Sequence, residues 1–192
     1  YPISFAHLQY LQKDLINSMA DKLIIDWKEY NLIVEKLAIK IHESGFKPTM
    51  LIGIMRGGAP IIDVLSRIFK LKCAYLAVES YTGTGVEDQQ GELVFSREMS
   101  STVQNMGGRL LLCDDLSDTG ITLNKSVDWL KKYPPIKDNI ESIKTAVLWK
   151  KAASTFEPDF CAERLKDNPW IVQPFENYEE VRIEDLLKKH KK

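Results

Sequence analysis

Two neighbouring carboxylates and a turn rich in hydroxyl groups follow one another closely in the middle of the chain. Asp114 and Asp115, the acid pair, come directly after the apolar run 110–113, and an Asp-Thr-Gly-Ile-Thr segment, the phosphate turn, occupies positions 118–122. Successive carboxylates at a strand end can accept hydrogen bonds from a vicinal diol and help to hold a hydrated Mg²⁺. The hydroxyl and N–H groups of the phosphate turn can donate to one terminal phosphate. A diol beside a monophosphate indicates ribose 5-phosphate; the alternative is a solvated strand end before an ordinary turn.

Alternating strand and helix patterns predict the elements that must hold the acid pair. The apolar run before it is typical of a buried strand, and apolar residues at helical spacing follow Gly120. Strands of the same kind are predicted at 23–25, 49–54, 73–78 and 145–149. This alternation predicts an α/β fold with a doubly wound, mainly parallel sheet flanked by helices. In such sheets anions bind at the carboxyl ends of strands, where helix N-termini present free N–H groups.

A second anion site is predicted where the strand 49–54 ends. Arg56 is followed there by Gly57 and Gly58, a segment named here the arginine loop, and Pro60 stands in the first turn of the next predicted helix. Arginine supplies a fixed fork of donors, and the glycines present backbone N–H groups that can donate to a pyrophosphate. The alternative is a plain turn with the arginine on the surface.

Length and composition limit the class of protein. The chain has 192 residues, of which 44% are hydrophobic, so we expect one domain over residues 1–192, with an extra helix in residues 1–20. Its net charge of −1 argues against nucleic acid as a partner. No apolar run approaches the roughly 18 residues of a membrane span, so no stable membrane insertion is expected. Cys73, Cys113 and Cys161 are widely spaced, which favours reduced thiols and a cytoplasmic location.

Residues 80–105 interrupt the alternation of strands and helices. Glycines and polar residues surround a short apolar patch at 93–95. A loop of this length in a compact domain is usually functional or disordered. Two interpretations stay open: an exposed β-hairpin without a role, or an antiparallel lid that excludes water while an activated sugar is exposed.

The acid pair and the phosphate turn together resemble the signature of type I phosphoribosyltransferases, which use phosphoribosyl pyrophosphate. The resemblance implies the fold of that family, with the acids on the ribose and the metal, the 5′-phosphate in the phosphate turn, and pyrophosphate at the arginine loop. In that family the peptide before the basic residue is often cis, which here is Met55–Arg56, and a Ser-Tyr pair often closes the lid loop. The residues implied in binding phosphoribosyl pyrophosphate are Arg56, Gly57, Ser80, Tyr81, Asp114, Asp115, Asp118, Thr119, Gly120, Ile121, Thr122 and Arg182.

The carboxyl-terminal third resembles the base pocket of 6-oxopurine phosphoribosyltransferases, most of all the xanthine-guanine enzymes. The resemblance implies a small hood over residues 158–182 that holds the base. Lys150 would donate to the purine 6-oxo group, Trp170 would stack on the base, and main-chain groups of Ile171 would read its 2-position. Glu176 stands where an aspartate is usual, which leaves the preference among 6-oxopurines open. The alternatives are a solvated lysine at a strand end and a tryptophan in the core.

The resemblance implies a transferase of purine salvage. It would move the 5-phosphoribosyl group from phosphoribosyl pyrophosphate to N9 of xanthine, guanine or hypoxanthine and release pyrophosphate. Mg²⁺ would be held by Asp114, Asp115 and Glu176, and Asp118 would act catalytically on the proton at purine N7. A homodimer or homotetramer is expected, as in the family. A phosphoribosyltransferase for another nucleobase and a non-catalytic nucleotide-sensing regulator stay open as alternatives.

Overall fold

The computed structural model describes residues 22–80, 93–101, 103 and 106–191. Their strands are β1 Lys22–Ile24, β2 Met50–Met55, β3 Lys72–Ser80, β4 Leu93–Phe95, β5 Ser100–Ser101, β6 Gly108–Ser117, β7 Ile140–Lys150, β8 Phe160–Arg164 and β9 Trp170–Val172. Their α-helices are α1 Trp27–Glu43, α2 Gly58–Phe69, α3 Ile121–Lys132 and α4 Ile183–His190, and 3₁₀ turns lie at Lys137–Asn139 and Glu176–Tyr178. The predicted N-terminal helix, Tyr81 and most of the predicted lid lie outside the described residues.

The described chain forms two compact units. The larger unit comprises residues 33–167, and the smaller unit comprises residues 22–32 and 168–191 among those described. Helix α1 begins in the smaller unit and continues into the larger one. The organisation as one domain stays a prediction of the sequence.

The sheet of the larger unit has the strand order β4-β3-β2-β6-β7-β8. Strands β2, β3, β6, β7 and β8 are paired in parallel, whereas β4 and β5 are antiparallel to β3. The parallel strands read as continuous apolar runs because both faces of the sheet are covered. The carboxyl ends of β2 and β6, neighbours in the sheet, therefore lie at the same edge.

Helices cover both faces of this sheet. Ile52 and Leu112 belong to one buried cluster with Leu123 of α3, on one face. Gly53, which points to the other face because side chains alternate along a strand, lies against α2: a Cβ at this glycine would be 2.8 Å from Cδ1 of Ile62. The predicted fold class, a doubly wound and mainly parallel α/β sheet, is confirmed.

The smaller unit contains a parallel pair of strands, β1 and β9, and the first turns of α1. The Oδ1 atom of Asp26 accepts a hydrogen bond from N of Glu29 at 2.8 Å, so this aspartate caps the helix. Trp27, Tyr30 and Phe175 form an aromatic cluster with ring centroids 5.9–6.3 Å apart. Across the described ranges, no helix is long and apolar enough to span a membrane.

Candidate active site

The acid pair lies near the carboxyl end of β6 and is partly buried. Asp114 is only 7% exposed, and its Oδ1 atom accepts a hydrogen bond from the backbone N of Asp115 at 3.0 Å. Burial raises the pKa of Asp114 well above its ordinary value, and the charge of Asp115 raises it further. The site therefore carries unfavourable negative charge that a bound cation or hydroxyl donor would relieve.

The donor set of the acid pair fits Mg²⁺ in one particular way. Among the described residues, no group of three acidic, histidine or cysteine side chains is placed to form a metal site made of protein ligands alone. Mg²⁺ is commonly held by one or two carboxylates while substrate phosphates and water complete the octahedron. Two adjacent carboxylates, one of them buried beside a like charge, match that arrangement.

The arginine loop contacts the acid pair directly. The Met55–Arg56 peptide is cis, as the family resemblance implies, and α2 begins at Gly58. A Cβ at Gly57 would overlap the carboxylate of Asp115, and one at Gly58 would overlap the carbonyl oxygen of Cys113. No side chain larger than hydrogen fits at these two positions. The arginine loop and the acid pair thus lie side by side at the edge of the sheet.

The phosphate turn joins β6 to α3 in the position expected for an anion site. Gly120 has a φ of +85°, in the left-handed region that favours glycine, and α3 begins at the next residue. Gly120 lacks a side chain to cap this helix. The N–H of Ile121 donates to Oγ1 of Thr119 and that of Asn124 to the carbonyl oxygen of Gly120, so the N–H groups of Thr122 and Leu123 are the ones from which an anion could accept. The Oγ1 atom of Thr119 lies 3.4 Å from N of Ile121, and Thr122 is half-buried in that turn.

A segment that the sequence did not single out holds the phosphate turn from behind. Both the backbone N and Oγ1 of Thr155 donate to the carbonyl oxygen of Thr119, each at 3.2 Å. A Cβ at Gly120 would overlap Cβ of Phe156. The side chains of Ser117 and Ser154 are hydrogen-bonded at 2.7 Å and buried. Nothing in the local sequence signals these contacts, because they join positions about 36 residues apart.

Two neighbouring lysines at the end of β7 turn towards different partners. Lys150 donates to the carbonyl oxygen of Ser154 at 3.2 Å and lies 3.8 Å from the carboxylate of Glu157. Lys151 instead lies with Nζ 3.2 Å from Oδ1 of Asp118. The side chain of Lys150 is 16% exposed and that of Lys151 8%, so neither is the solvated strand end that the sequence left open.

The remaining predicted residues lie in the smaller unit or at the start of the predicted lid. Trp170 is 63% exposed in β9, rather than in the core, and Ile171 is buried in the same strand. Glu176 begins a 3₁₀ turn, and the guanidinium of Arg182 donates to Asp185 at 3.3 Å. At the lid, the backbone of Ser80 pairs with that of Leu93 in the antiparallel ladder of β3 and β4. The roles assigned to all of these residues stay predictions.

Comparisons with known proteins agree with the geometry. A family model described as "phosphoribosyl transferase domain" matches residues 24–180. A purine phosphoribosyltransferase from Pyrococcus horikoshii has a similar structure, with a TM-score of 0.64 and 28% identity over 81% of this chain and 93% of that one.

Two further solved structures share the fold at lower identity. A xanthine-guanine-hypoxanthine phosphoribosyltransferase of Helicobacter pylori gives a TM-score of 0.63 and 20% identity, covering 88% of this chain and 99% of that one. A hypoxanthine phosphoribosyltransferase of Trypanosoma cruzi, in complex with the product IMP, gives 0.59 and 18%, covering 86% and 93%. Among curated proteins, none matches the chain.

Proposed function

The chain belongs to the phosphoribosyltransferase family, since the family model spans residues 24–180, and from this premise we propose that it salvages 6-oxopurines. The proposed reaction moves the 5-phosphoribosyl group from phosphoribosyl pyrophosphate to N9 of xanthine, guanine or hypoxanthine. The products are the nucleoside monophosphate and pyrophosphate. The observation that carries the proposal is the contact between the acid pair on β6 and the arginine loop after β2, the neighbouring strand. The phosphate turn comes directly after β6 in the chain.

The donor would bind along this edge of the sheet. The phosphate turn takes the 5′-phosphate with N–H groups of α3 and the threonine hydroxyls, and the acid pair accepts hydrogen bonds from the two ribose hydroxyls. The arginine loop takes the pyrophosphate with the Arg56 guanidinium and the N–H of Gly57. In this proposal Asp114 and Asp115 would hold Mg²⁺, which would supply positive charge for the pyrophosphate that leaves. Glu176 and Arg182 are proposed as further contacts of the donor on the strength of the family resemblance alone.

The transfer requires that the chain position the two substrates and accept one proton. As the N9–C1′ bond forms, the bond from C1′ to the pyrophosphate oxygen breaks, and its electron pair leaves with pyrophosphate. The proton that the purine carries on N7 passes to the carboxylate of Asp118 and then to solvent. Asp118 is the first residue of the phosphate turn and its side chain is 60% exposed, so it is accessible to a base placed behind the ribose.

The proposed preference for a 6-oxopurine is supported by residues of the carboxyl-terminal third and by one similar structure. A 6-oxo group is an acceptor, which suits a cationic donor, and Lys150 stands at the strand end where the resemblance places that donor. Trp170 is exposed enough to stack on a base, and Ile171 follows it in β9. The similarity to the purine enzyme of Pyrococcus horikoshii, at 28% identity, also favours a purine. The neighbours' own substrates are the reason to include xanthine, guanine and hypoxanthine in the first assay.

The direct test is to incubate the protein with Mg²⁺, phosphoribosyl pyrophosphate and each nucleobase singly, and to separate the nucleotide products. We expect product with at least one 6-oxopurine and none with adenine, orotate or uracil. If product forms only with adenine, orotate or uracil, the substrate is that base and the proposal of a 6-oxopurine is wrong. Failure with every base would contradict catalysis and favour the nucleotide-sensing regulator.

The catalytic role of Asp118 has its own test. Asp118→Asn keeps the shape of the side chain but removes its basicity, so it should lower kcat by about a hundredfold or more. Binding of phosphoribosyl pyrophosphate, measured by calorimetry, should change much less, because the phosphate turn donates with other groups. Equal losses in turnover and in donor binding would show that Asp118 serves binding instead.

We further propose a cytoplasmic homodimer or homotetramer, on the example of the family that the sequence resembles. Sedimentation equilibrium on the purified protein tests the oligomeric state, and a monomer at micromolar concentration would contradict it.

A further inference from the structure

One buried ammonium group lies against the proposed catalytic carboxylate. The Nζ atom of Lys151 is 3.2 Å from Oδ1 of Asp118, and its side chain is 8% exposed, whereas that of Asp118 is 60% exposed. Lysine side chains are almost never buried unless they are paired. The pair is therefore asymmetric: the lysine is held inside the protein, and the carboxylate reaches out of it.

The backbone of Lys151 is anchored on both sides by hydrogen bonds. Its N–H donates to the carbonyl oxygen of Ser117 at 3.1 Å, and its own carbonyl oxygen accepts from N of Ser154 at 3.1 Å. The hydroxyl groups of those two serines are hydrogen-bonded to each other. Lys151 is thus anchored to the last residue of β6, the residue immediately before Asp118.

The contact between Lys151 and Asp118 matters because a phosphate bound in the phosphate turn would repel the Asp118 carboxylate. A carboxylate close to a phosphate dianion is repelled by it, and an exposed side chain is free to turn away into solvent. A fixed positive charge behind Asp118 opposes that repulsion and restricts the carboxylate to few rotamers. Lys150 does not do this, because it faces Ser154 and Glu157.

We propose that Lys151 is a positioning residue for the reaction, which holds the Asp118 carboxylate towards the base while the rest of the phosphate turn is occupied. The inference rests on the proposed function and adds to it a residue that acts through Asp118 rather than on substrate. It predicts that the contribution of Lys151 to turnover disappears when the carboxylate of Asp118 is absent.

The test is a double-mutant cycle on the full-length protein. Lys151→Met keeps the length of the apolar stem and removes the charge, and Lys151→Arg keeps the charge. Both are combined with Asp118→Asn, and kcat and the KM for phosphoribosyl pyrophosphate are measured with the best 6-oxopurine. Lys40→Met is the control: Lys40 is an exposed lysine of the same unit whose ammonium donates to the carbonyl oxygens of Cys161 and Ala162 instead.

The expected pattern is specific. Lys151→Met should lower kcat about a hundredfold with little change in KM, in line with the loss from misplacing a reacting group by about 1 Å. Lys151→Arg should recover most of that loss, Lys40→Met should leave kcat near the wild-type value, and adding Lys151→Met to Asp118→Asn should slow the enzyme by less than about twofold.

Other outcomes would overturn the role of Lys151. If Lys151→Met slows the Asp118→Asn enzyme by the full factor, or raises KM alone, the lysine acts on substrate or on the fold. If Lys151→Met and Lys40→Met lose turnover and thermal stability in parallel, the role is structural. An inactive wild-type protein would remove the proposed function, and the positioning role with it, so the two failures are told apart by the wild-type assay.

Discussion

The phosphate turn should not tolerate a side chain at Gly120. Its φ of +85° is in the left-handed region, and an added Cβ would overlap Cβ of Phe156 and lie 2.9 Å from the backbone N of the same residue. A side chain in the left-handed region costs roughly 1–2 kcal/mol. Overpacking of a tight contact adds about 1–3 kcal/mol. We therefore expect Gly120→Ala to lower the free energy of unfolding by about 2–5 kcal/mol.

Gly45 provides a matched control for this substitution. Its φ is +74°, and no heavy atom lies within 4 Å of the position of an added Cβ. Gly45→Ala therefore carries only the conformational cost, so the two variants should differ by about 1–3 kcal/mol. Urea denaturation of both variants, followed by fluorescence and circular dichroism, measures the difference.

The same substitution should also disturb function, because the contact with Phe156 lies behind the phosphate turn. Displacing the turn moves the N–H groups proposed to bind the 5′-phosphate, so the KM for phosphoribosyl pyrophosphate should rise about tenfold or more in Gly120→Ala. Gly45→Ala should leave KM unchanged. Equal destabilisation of the two variants would refute the close approach at Gly120. Phe156→Ala should not rescue Gly120→Ala, since alanine keeps the Cβ atom in question.

Two further predictions concern buried ionisable groups. Burial and the charge of Asp115 raise the pKa of Asp114. Between the ordinary pKa of an aspartate and this raised pKa, the folded protein keeps a proton that the unfolded chain releases. The free energy of unfolding therefore falls as pH rises through this range. The free energy of unfolding of Asp114→Asn should consequently be about 1 kcal/mol higher than that of wild type at pH 8, and the difference should be smaller at pH 5. The variant should form no nucleotide. A variant less stable than wild type at pH 8 would contradict this. Burial also raises the pKa of the Cys113 and Cys161 thiols, whereas Cys73 is half-buried. Ellman's reagent should react with Cys73 in the folded protein and with the other two only after unfolding, and rapid reaction of all three would disprove the buried setting.

Much of the fold was predictable because its signals are local. The apolar runs of β2, β6 and β7 follow from residue types within a few positions of one another, and the structure confirms these strands. Boundaries were less well predicted: β6 continues beyond its apolar run to Ser117, so the acid pair is within the strand. Helix α4 was not predicted; its residues are almost all exposed.

The candidate site also contains residues with a local sequence signal and residues without one. The acid pair, the arginine loop and the phosphate turn were found from short motifs, since each places its groups through one strand end and one helix start. The neighbouring lysines could not be told apart in this way. Adjacent residues at a strand end are equally polar in sequence, and only packing shows that Lys151 is buried against Asp118 whereas Lys150 faces Glu157.

The sequence by itself determined the chemistry at the edge of the sheet, because donors, acceptors and a glycine that permits close approach of the backbone can be recognised within a dozen residues. Tertiary structure alone decided how these groups are held. The close approach of Gly57 to Asp115, the support of Thr119 by Thr155 and the pairing of Asp118 with Lys151 all join residues distant in sequence. Such contacts depend on strand order and side-chain packing, which no local pattern encodes.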